Sequence, residues 1–278
     1  ASGYIGSHIV ANLLSKGMRV RATVRDLEDP ERVAHLKSMD IAEGGDIEIV
    51  EMDLFDPESV NSAISGCTDL IHTAATVIVR SRDPQRKIVD PSVIGTRNVI
   101  SAVERSGTIE RFVHTSSTAA IRPMEWKDGS ILTADIWAND ATLENNPYGL
   151  AKVSAEKIVR DWHASLESGT RPRLVTIHPC MVFGPPLSPR HLRGSLAILM
   201  AMIRRTVPLS LPMQINIVDV RDVAEAHVRA LEEGQEGGRY LTVSGDMMMT
   251  DIAKALKKAH PGRLSLIHIS EPTRRSTI

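Results

Sequence analysis

Tyr148 and Lys152 stand four residues apart in the stretch Asn146-Pro147-Tyr148-Gly149-Leu150-Ala151-Lys152. In a helix, that spacing puts the phenol and the ammonium on one face. Asn146 suits the cap of such a helix and Pro147 its first position. Val153, Ile158, Val159 and Trp162 continue an apolar helical period behind them. A cation beside a tyrosine favours the phenolate, and a tyrosine so tuned can pass a proton to or from a substrate oxygen. Taken alone, the spacing fits an ordinary surface pair better. The surrounding chain changes that balance.

A second chemical feature opens the chain. Gly3 and Gly6 run straight into the apolar helical pattern of Ile5, Ile9, Val10, Leu13 and Leu14, which Gly17 closes. Glycines ahead of a helix let backbone approach a phosphate, whose charge the helix N-terminus stabilises. A plain helix-entry turn would look the same.

The elements needed to position these groups alternate. Strands are expected at Met18–Val24, Ile47–Met52, Asp69–Thr73, Arg111–Thr115, Leu174–His178, Ile215–Val218 and Arg239–Val243. Helices are expected at Pro30–Met39, Pro57–Ser65, Lys87–Ser106 with a kink or start near Pro91, from Tyr148 onward, Ser195–Arg204, Asp219–Glu233 and Asp251–Ala259. Such alternation means an α/β fold, a doubly wound parallel sheet with helices on both faces. Ligands sit at the carboxyl ends of the strands in these sheets. Gly3, Arg25, Asp53, Ala74, Ser117 and Pro179 fall at those positions. Arg25 ends the second strand of such a fold, where the adenine ribose lies; a guanidinium there accommodates a 2′-phosphate and so selects NADPH over NADH. Arg32 is a further candidate contact, and Asp26 beside Arg25 leaves a solvated surface charge as the alternative.

Composition sets bounds. The 278 residues carry a net charge of −1, which argues against a broad nucleic-acid or membrane surface. Cys67 and Cys180 give neither a disulfide framework nor metal spacing, and fit a reducing compartment such as the cytoplasm. The longest apolar run, Leu196–Ile203, is too short to span a bilayer. His72, His114 and His178 fall on expected buried strands without ligand spacing and read as satisfied core histidines. Met247, Met248 and Met249 read as gap-filling core or pocket lining.

Together the motifs resemble the extended short-chain dehydrogenase/reductase family, within the NAD-dependent epimerase/dehydratase superfamily. The likeness is strongest to its dihydroflavonol reductase-like carbonyl and aldehyde reductases and covers roughly residues 1–260. It is carried by Ser2–His8, Thr23–Asp26, Asp53-Leu54, His72–Ala75, Gly95–Val99, His114–Ser117, Tyr148-x-x-x-Lys152, His178-Pro179, Phe183–Pro185 and Asp219–Ala224. The resemblance implies a Rossmann-type fold with a smaller, discontinuous substrate lobe, NADP as cofactor and a small carbonyl substrate. It implies that Ser117 bonds the carbonyl, Tyr148 protonates its oxygen, and Lys152 bonds the nicotinamide ribose and tunes Tyr148. Ser116 is the rival to Ser117, since adjacent strand residues face opposite ways. Cofactor contacts are implied for Gly3, Tyr4, Ile5, Gly6, Asp53 (the adenine amino group), Leu54, Thr73, Ala74, Ala75, Pro179 and Val182. No nucleic-acid or membrane partner is expected, and the protein is expected to be a monomer or homodimer. The rival readings are an NAD-dependent nucleotide-sugar epimerase or dehydratase, and a non-catalytic dinucleotide sensor.

Residues 1–178 with 214–246 are expected to bind the dinucleotide, and 179–213 with 247–263 to form the substrate lobe. The family fingerprint has a further glycine and a strand where this sequence begins. That strand belongs between the ones starting near Met18 and Asp69, so the chain as written is expected to fold poorly and bind NADPH weakly. Leu264 to Arg274 matches the in-frame translation of a transposase-based sequencing-library adapter, and 264–278 is read as a non-native tail.

Overall fold

The computed structural model describes residues 1–74, 81–127, 129–169, 171–204 and 213–259. Ala75 and the 264–278 tail lie outside them. The elements run α1 (Tyr4–Ser15), β1 (Arg19–Val24), α2 (Pro30–Lys37), β2 (Asp46–Glu51), α3 (Pro57–Ile64), β3 (Asp69–His72), a π-turn at Gln85–Val89, α4 (Asp90–Ser106) and β4 (Arg111–Thr115). After a 3₁₀ turn at Thr118–Ala120 come α5 (Pro147–Ser165), β5 (Arg173–Pro179), β6 (Met181–Phe183), a 3₁₀ turn at Pro189–Leu192 and α6 (Ser195–Ile203). The described chain ends with β7 (Gln214–Asp219), α7 (Val220–Glu233), β8 (Arg239–Thr242), β9 (Gly245–Met248) and α8 (Met249–Ala259).

Helix starts follow local chemistry. Asp29, Asp56, Asn146 and Asp219 each accept a backbone N–H from the first turn of α2, α3, α5 and α7. Proline follows the first three of these caps, where its missing N–H costs nothing. The strands are parallel in β1-β2 and in β3-β4-β5-β8. Neighbouring residues on the buried strands serve opposite layers, as a doubly wound sheet requires. Phe112 and Leu174 join Val60, Ile64, Val99 and Val159 on one side. Val113 and Val175 join Ile9, Leu13, Val228 and Leu231 on the other. The architecture is α/β of the Rossmann type.

Two short strands escaped the sequence reading. β6 and β9 flank β7, parallel and antiparallel respectively, in a separate three-stranded sheet. Met247 and Met249 pack there with Met202, Ile252 and Phe183, so this methionine-rich cluster is the core of the small sheet and its helices α6 and α8. By strand pairing, β7 groups with this sheet, whereas β8 joins the large one.

Among the described residues, β1 pairs only with β2, and β3 only with β4. Between the facing edges of β1 and β3 lies a slot of about 620 Å³. Ile9, Leu13 and Ile71 line it on the α7 side, and Ile64, Leu70 and Val99 on the α4 side. Ala1 and Thr23 lie at its top.

Candidate functional site

Because the strands are parallel, their carboxyl ends share one edge with the start of α1. Tyr148 sits half-buried in the first turn of α5. Asn146 fixes this turn by accepting the Gly149 N–H at 2.9 Å. Lys152, one turn on, is buried, and its ammonium donates to the Thr115 carbonyl at 3.2 Å. Thr115 ends β4, two residues before Ser117. The bond therefore ties the Tyr148 helix to the strand end that carries the serine pair.

The two serines are distinguished by their partners. Ser116 is buried and donates to Glu156 Oε2 at 2.6 Å. Ser117 is half-buried; it accepts the Ala119 N–H at 3.1 Å, and its hydroxyl is directed at the Pro179 carbonyl at 3.5 Å. Ser117 thus caps the Thr118–Ala120 turn while remaining open to the strand edge.

Glu156 was not singled out by sequence. It lies on α5 beyond Lys152 and accepts from Ser116, from His178 at 2.8 Å and from Arg160 at 3.1 Å. Burial pushes its carboxyl up, but the bond and charge of His178 and the bonds from Arg239 and Ser116 outweigh that and hold it well below the ordinary carboxylate range. Its signal in the sequence was a glutamate eight residues past Tyr148, on the face shared with Lys152. His178 meets the expectation of a satisfied core histidine only in half: Nε2 bonds Glu156, while Nδ1 is buried without a partner. His114 departs from it fully: both its ring nitrogens are buried without a partner, against the ring of His72 at 5.5 Å. Strand burial was legible there, but the absence of a cross-strand acceptor was not.

The glycine turn at the start of α1 has no side-chain cap and no acidic residue in the first turn, unlike α2, α3 and α7. A methyl group on Gly3 would meet nothing, while one on Gly6 would lie 3.0 Å from the Ala1 carbonyl and 3.2 Å from Thr73 Oγ1. The turn therefore leaves open space and uncapped N–H groups, which suits an anion such as a dinucleotide diphosphate. Three histidines brace it. His8 Nε2 donates to the Pro185 carbonyl at 2.9 Å. His191 takes the Leu187 N–H on Nδ1, so Nε2 carries the proton and donates to Ser2 O at 3.2 Å. Ser7 donates to Gly3 O, which leaves its oxygen to accept from His35 Nε2 at 2.9 Å.

The remaining expected residues are placed as follows. Arg25 is exposed at the end of β1, while Asp26 beside it is turned to the Glu28 N–H. Arg32 bonds Asp29 at 2.9 Å, and Arg190 joins the same carboxylate at 3.0 Å. Asp53 accepts the Phe55 N–H at 3.0 Å, and Asn98 donates to Leu54 O at 2.7 Å, fixing the turn after β2. Gly95 leaves room for the Leu54 side chain. Thr73 and Ala74 follow β3. Tyr4, Ile5 and Val182 pack in one apolar cluster with Val218, Val220 and Val223. The Tyr4 hydroxyl is buried without a partner; burial, then the nearby Asp219, pushes its pKa up. Gly184 passes this hydroxyl with φ +137, where a methyl would lie 2.8 Å from Val220. Among the described residues no cluster of histidine, cysteine or acidic side chains could hold a metal ion, and no helix is long and apolar enough to cross a membrane.

Residues 1–243 match the family described as "NAD dependent epimerase/dehydratase family". Cinnamoyl-CoA reductase CAD2 of Medicago truncatula is 33% identical over 270 residues, covering 94% of this chain and 79% of that protein. Anthocyanidin reductase of Arabidopsis thaliana is 30% identical over 273 residues, covering 94% and 78%. Among solved structures, Gre2 of Candida albicans in complex with NADPH is 28% identical with a TM-score of 0.80, covering 94% of this chain and 81% of that one. UDP-glucose 4-epimerase of Thermus thermophilus shares the fold at 24% identity and a TM-score of 0.71. The match across the strand ends, the Tyr148 helix and the glycine turn places the chain in the NAD dependent epimerase/dehydratase family.

Proposed function

We propose that the chain reduces an aldehyde or ketone to the alcohol with NADPH, or runs the reverse oxidation, at a Ser117–Tyr148–Lys152 site. The observation that carries this reading is the Lys152–Thr115 bond, which joins the phenol and ammonium of α5 to the strand end that bears Ser117. The dinucleotide, when bound, supplies the hydride. Gly3, Tyr4, Ile5 and Gly6 hold its phosphates at the start of α1; Arg25 takes the 2′-phosphate, and Arg32 joins it by releasing Asp29. The Asp53-Leu54 turn and Thr73 and Ala74 after β3 hold the adenosine side, with Ala75 as a further contact; Pro179 and Val182 border the nicotinamide. Ser117 donates to the carbonyl oxygen and Tyr148 delivers the proton to it, while Lys152 bonds the ribose. The large sheet with β1 and β2 and their helices forms the dinucleotide-binding part, and the small sheet of β6, β7 and β9 with α6 and α8 the lobe over the substrate. The reductases among the relatives support this branch, as does exposed Arg25 where an epimerase carries an acidic residue.

The test is consumption of NADPH and of NADH, followed by absorbance, with a panel of aldehydes and ketones. Tyr148→Phe keeps the shape and removes the proton donor, so turnover should drop about 10²–10⁴-fold while NADPH still binds. Arg25→Ala should erase the preference for NADPH. Near-normal turnover in Tyr148→Phe sinks the catalytic assignment; equal kcat/KM for both cofactors in the parent sinks that of Arg25.

A further inference from the structure

Residues 185–191, between β6 and α6, lie across the starts of α1 and α2. His8 on α1 donates to the Pro185 carbonyl, and His191 donates to Ser2 O in the glycine turn. Ser188 is buried and donates to the carbonyl of Glu31, in the first turn of α2, at 3.0 Å. The ring of His191 stands edge-on to that of His35 on α2, with 5.2 Å between centroids. The segment is therefore fixed at two places where a fold of this type meets a dinucleotide. The glycine turn meets the diphosphate, and the end of β1 with the start of α2 meets the adenine ribose. Arg190 stands between these anchors. Its Nη1 lies 3.0 Å from Asp29 Oδ2, and Arg32 Nε lies 2.9 Å from the same oxygen. Two guanidinium groups, one from the β6–α6 connection and one from α2, thus converge on one anionic oxygen. The other Asp29 oxygen accepts the Glu31 N–H at 3.0 Å. Nε and Nη2 of Arg190, and both Nη groups of Arg32, have no acceptor among the described residues.

A phosphomonoester oxygen suits the same pair of guanidinium donors that a carboxylate oxygen does. We propose that Arg190 is a specificity-determining residue for the cofactor: it completes, with Arg25 and Arg32, the site for the 2′-phosphate of NADPH. The proposal rests on the NADPH reading above. When Arg32 leaves Asp29 for the phosphate, a bare carboxylate beside the incoming dianion would oppose binding. Arg190 has donors for both groups. Its Nη1 stays on Asp29, while Nε and Nη2 remain for the phosphate. Glu31, whose Oε2 is 3.5 Å from Arg190 Nη1, and the exposed Asp26 and Glu28 add negative charge nearby, so the third cation matters. The 2′-phosphate then ties the β6–α6 connection to α2, a link that the 2′-hydroxyl of NADH cannot make.

The probes are NADP⁺ and NAD⁺, which differ only in the 2′-phosphate, titrated by calorimetry without a carbonyl substrate. In Arg190→Gln the affinity for NADP⁺ should fall about tenfold, the worth of one charge-assisted hydrogen bond, with NAD⁺ within about twofold. Hydrogen exchange of residues 187–192 in the parent should slow with NADP⁺ more than with NAD⁺, and the two should no longer differ in the variant. Where the parent prefers NADP⁺, an equal loss for both cofactors in Arg190→Gln, or a preference equal to the parent's, overturns the proposal and leaves the NADPH reading standing. A parent without that preference overturns the NADPH reading and the proposal with it. If Arg190→Gln does not fold, Arg190→Lys keeps a cation beside Asp29 but offers one point of charge where two anions must be held. Its preference for NADP⁺ should fall in the same direction; an unchanged preference there overturns the proposal.

Discussion

Ser116 and Ser117 are one bond apart in the chain and differ in what they can lose. Ser116 is a buried donor to a buried carboxylate. Ser116→Ala should cost about 1–3 kcal/mol of stability, because Glu156 loses one of its donors, and should leave a folded enzyme with reduced Tm. Ser117 holds only a turn cap and a long contact to Pro179. Ser117→Ala should lower kcat about 10²-fold, the scale of one lost oxyanion donor, with little change in unfolding by urea. The opposite pattern in paired turnover and unfolding measurements would move the donor role to Ser116. The alternation of strand faces left both serines open, and the family pattern favoured Ser117. Glu156, forty residues on from Ser116, adds support by engaging Ser116, and its partners converge from three strands through tertiary contacts that no local period encodes.

At the scale of elements, the start of α5 matters most, since its first turn carries Tyr148. Asn146→Ala removes the acceptor for the Gly149 N–H and should cost about 1 kcal/mol. Turnover should fall with it as that turn frays, and Asn146→Asp, which retains the acceptor, should recover both. An Ala variant with parental Tm and kcat would show that packing alone holds the turn. This element was legible because cap, proline and apolar period agree. Most strands were legible for the same reason, their apolar runs being bounded by turn residues. β6 was not: three residues between Cys180 and Gly184 are too few to show a period. β9 was hidden because Gly245 and Asp246 disfavour strands, and it forms by pairing antiparallel to β7. The bracing of the glycine turn by His8, His35 and His191 was equally hidden, since it joins residues as far as 189 positions apart.

Over the whole molecule, buried imidazoles set the acid limit. Burial first, and then the nearby Lys152, lowers His72 from 6.5 to about 4, and burial lowers His227 likewise to about 4. Unfolding frees both to take protons, so their contribution is complete above pH 6.5 and is lost as pH falls toward 4. Each is worth up to about 3 kcal/mol, so Tm should drop steeply across that window; a flat profile from pH 7 to 4.5 would contradict the buried neutral assignment. Arg25 and Asp53 follow β1 and β2, whereas Ser117 follows β4 and Tyr148 and Lys152 lie on α5. A dinucleotide reaching from one group to the other, as proposed, would clamp together elements far apart in the chain, so saturating NADPH should slow amide exchange at the ends of β1, β2 and β4 together. Exchange left unchanged at all three by bound NADPH would contradict that path for the cofactor.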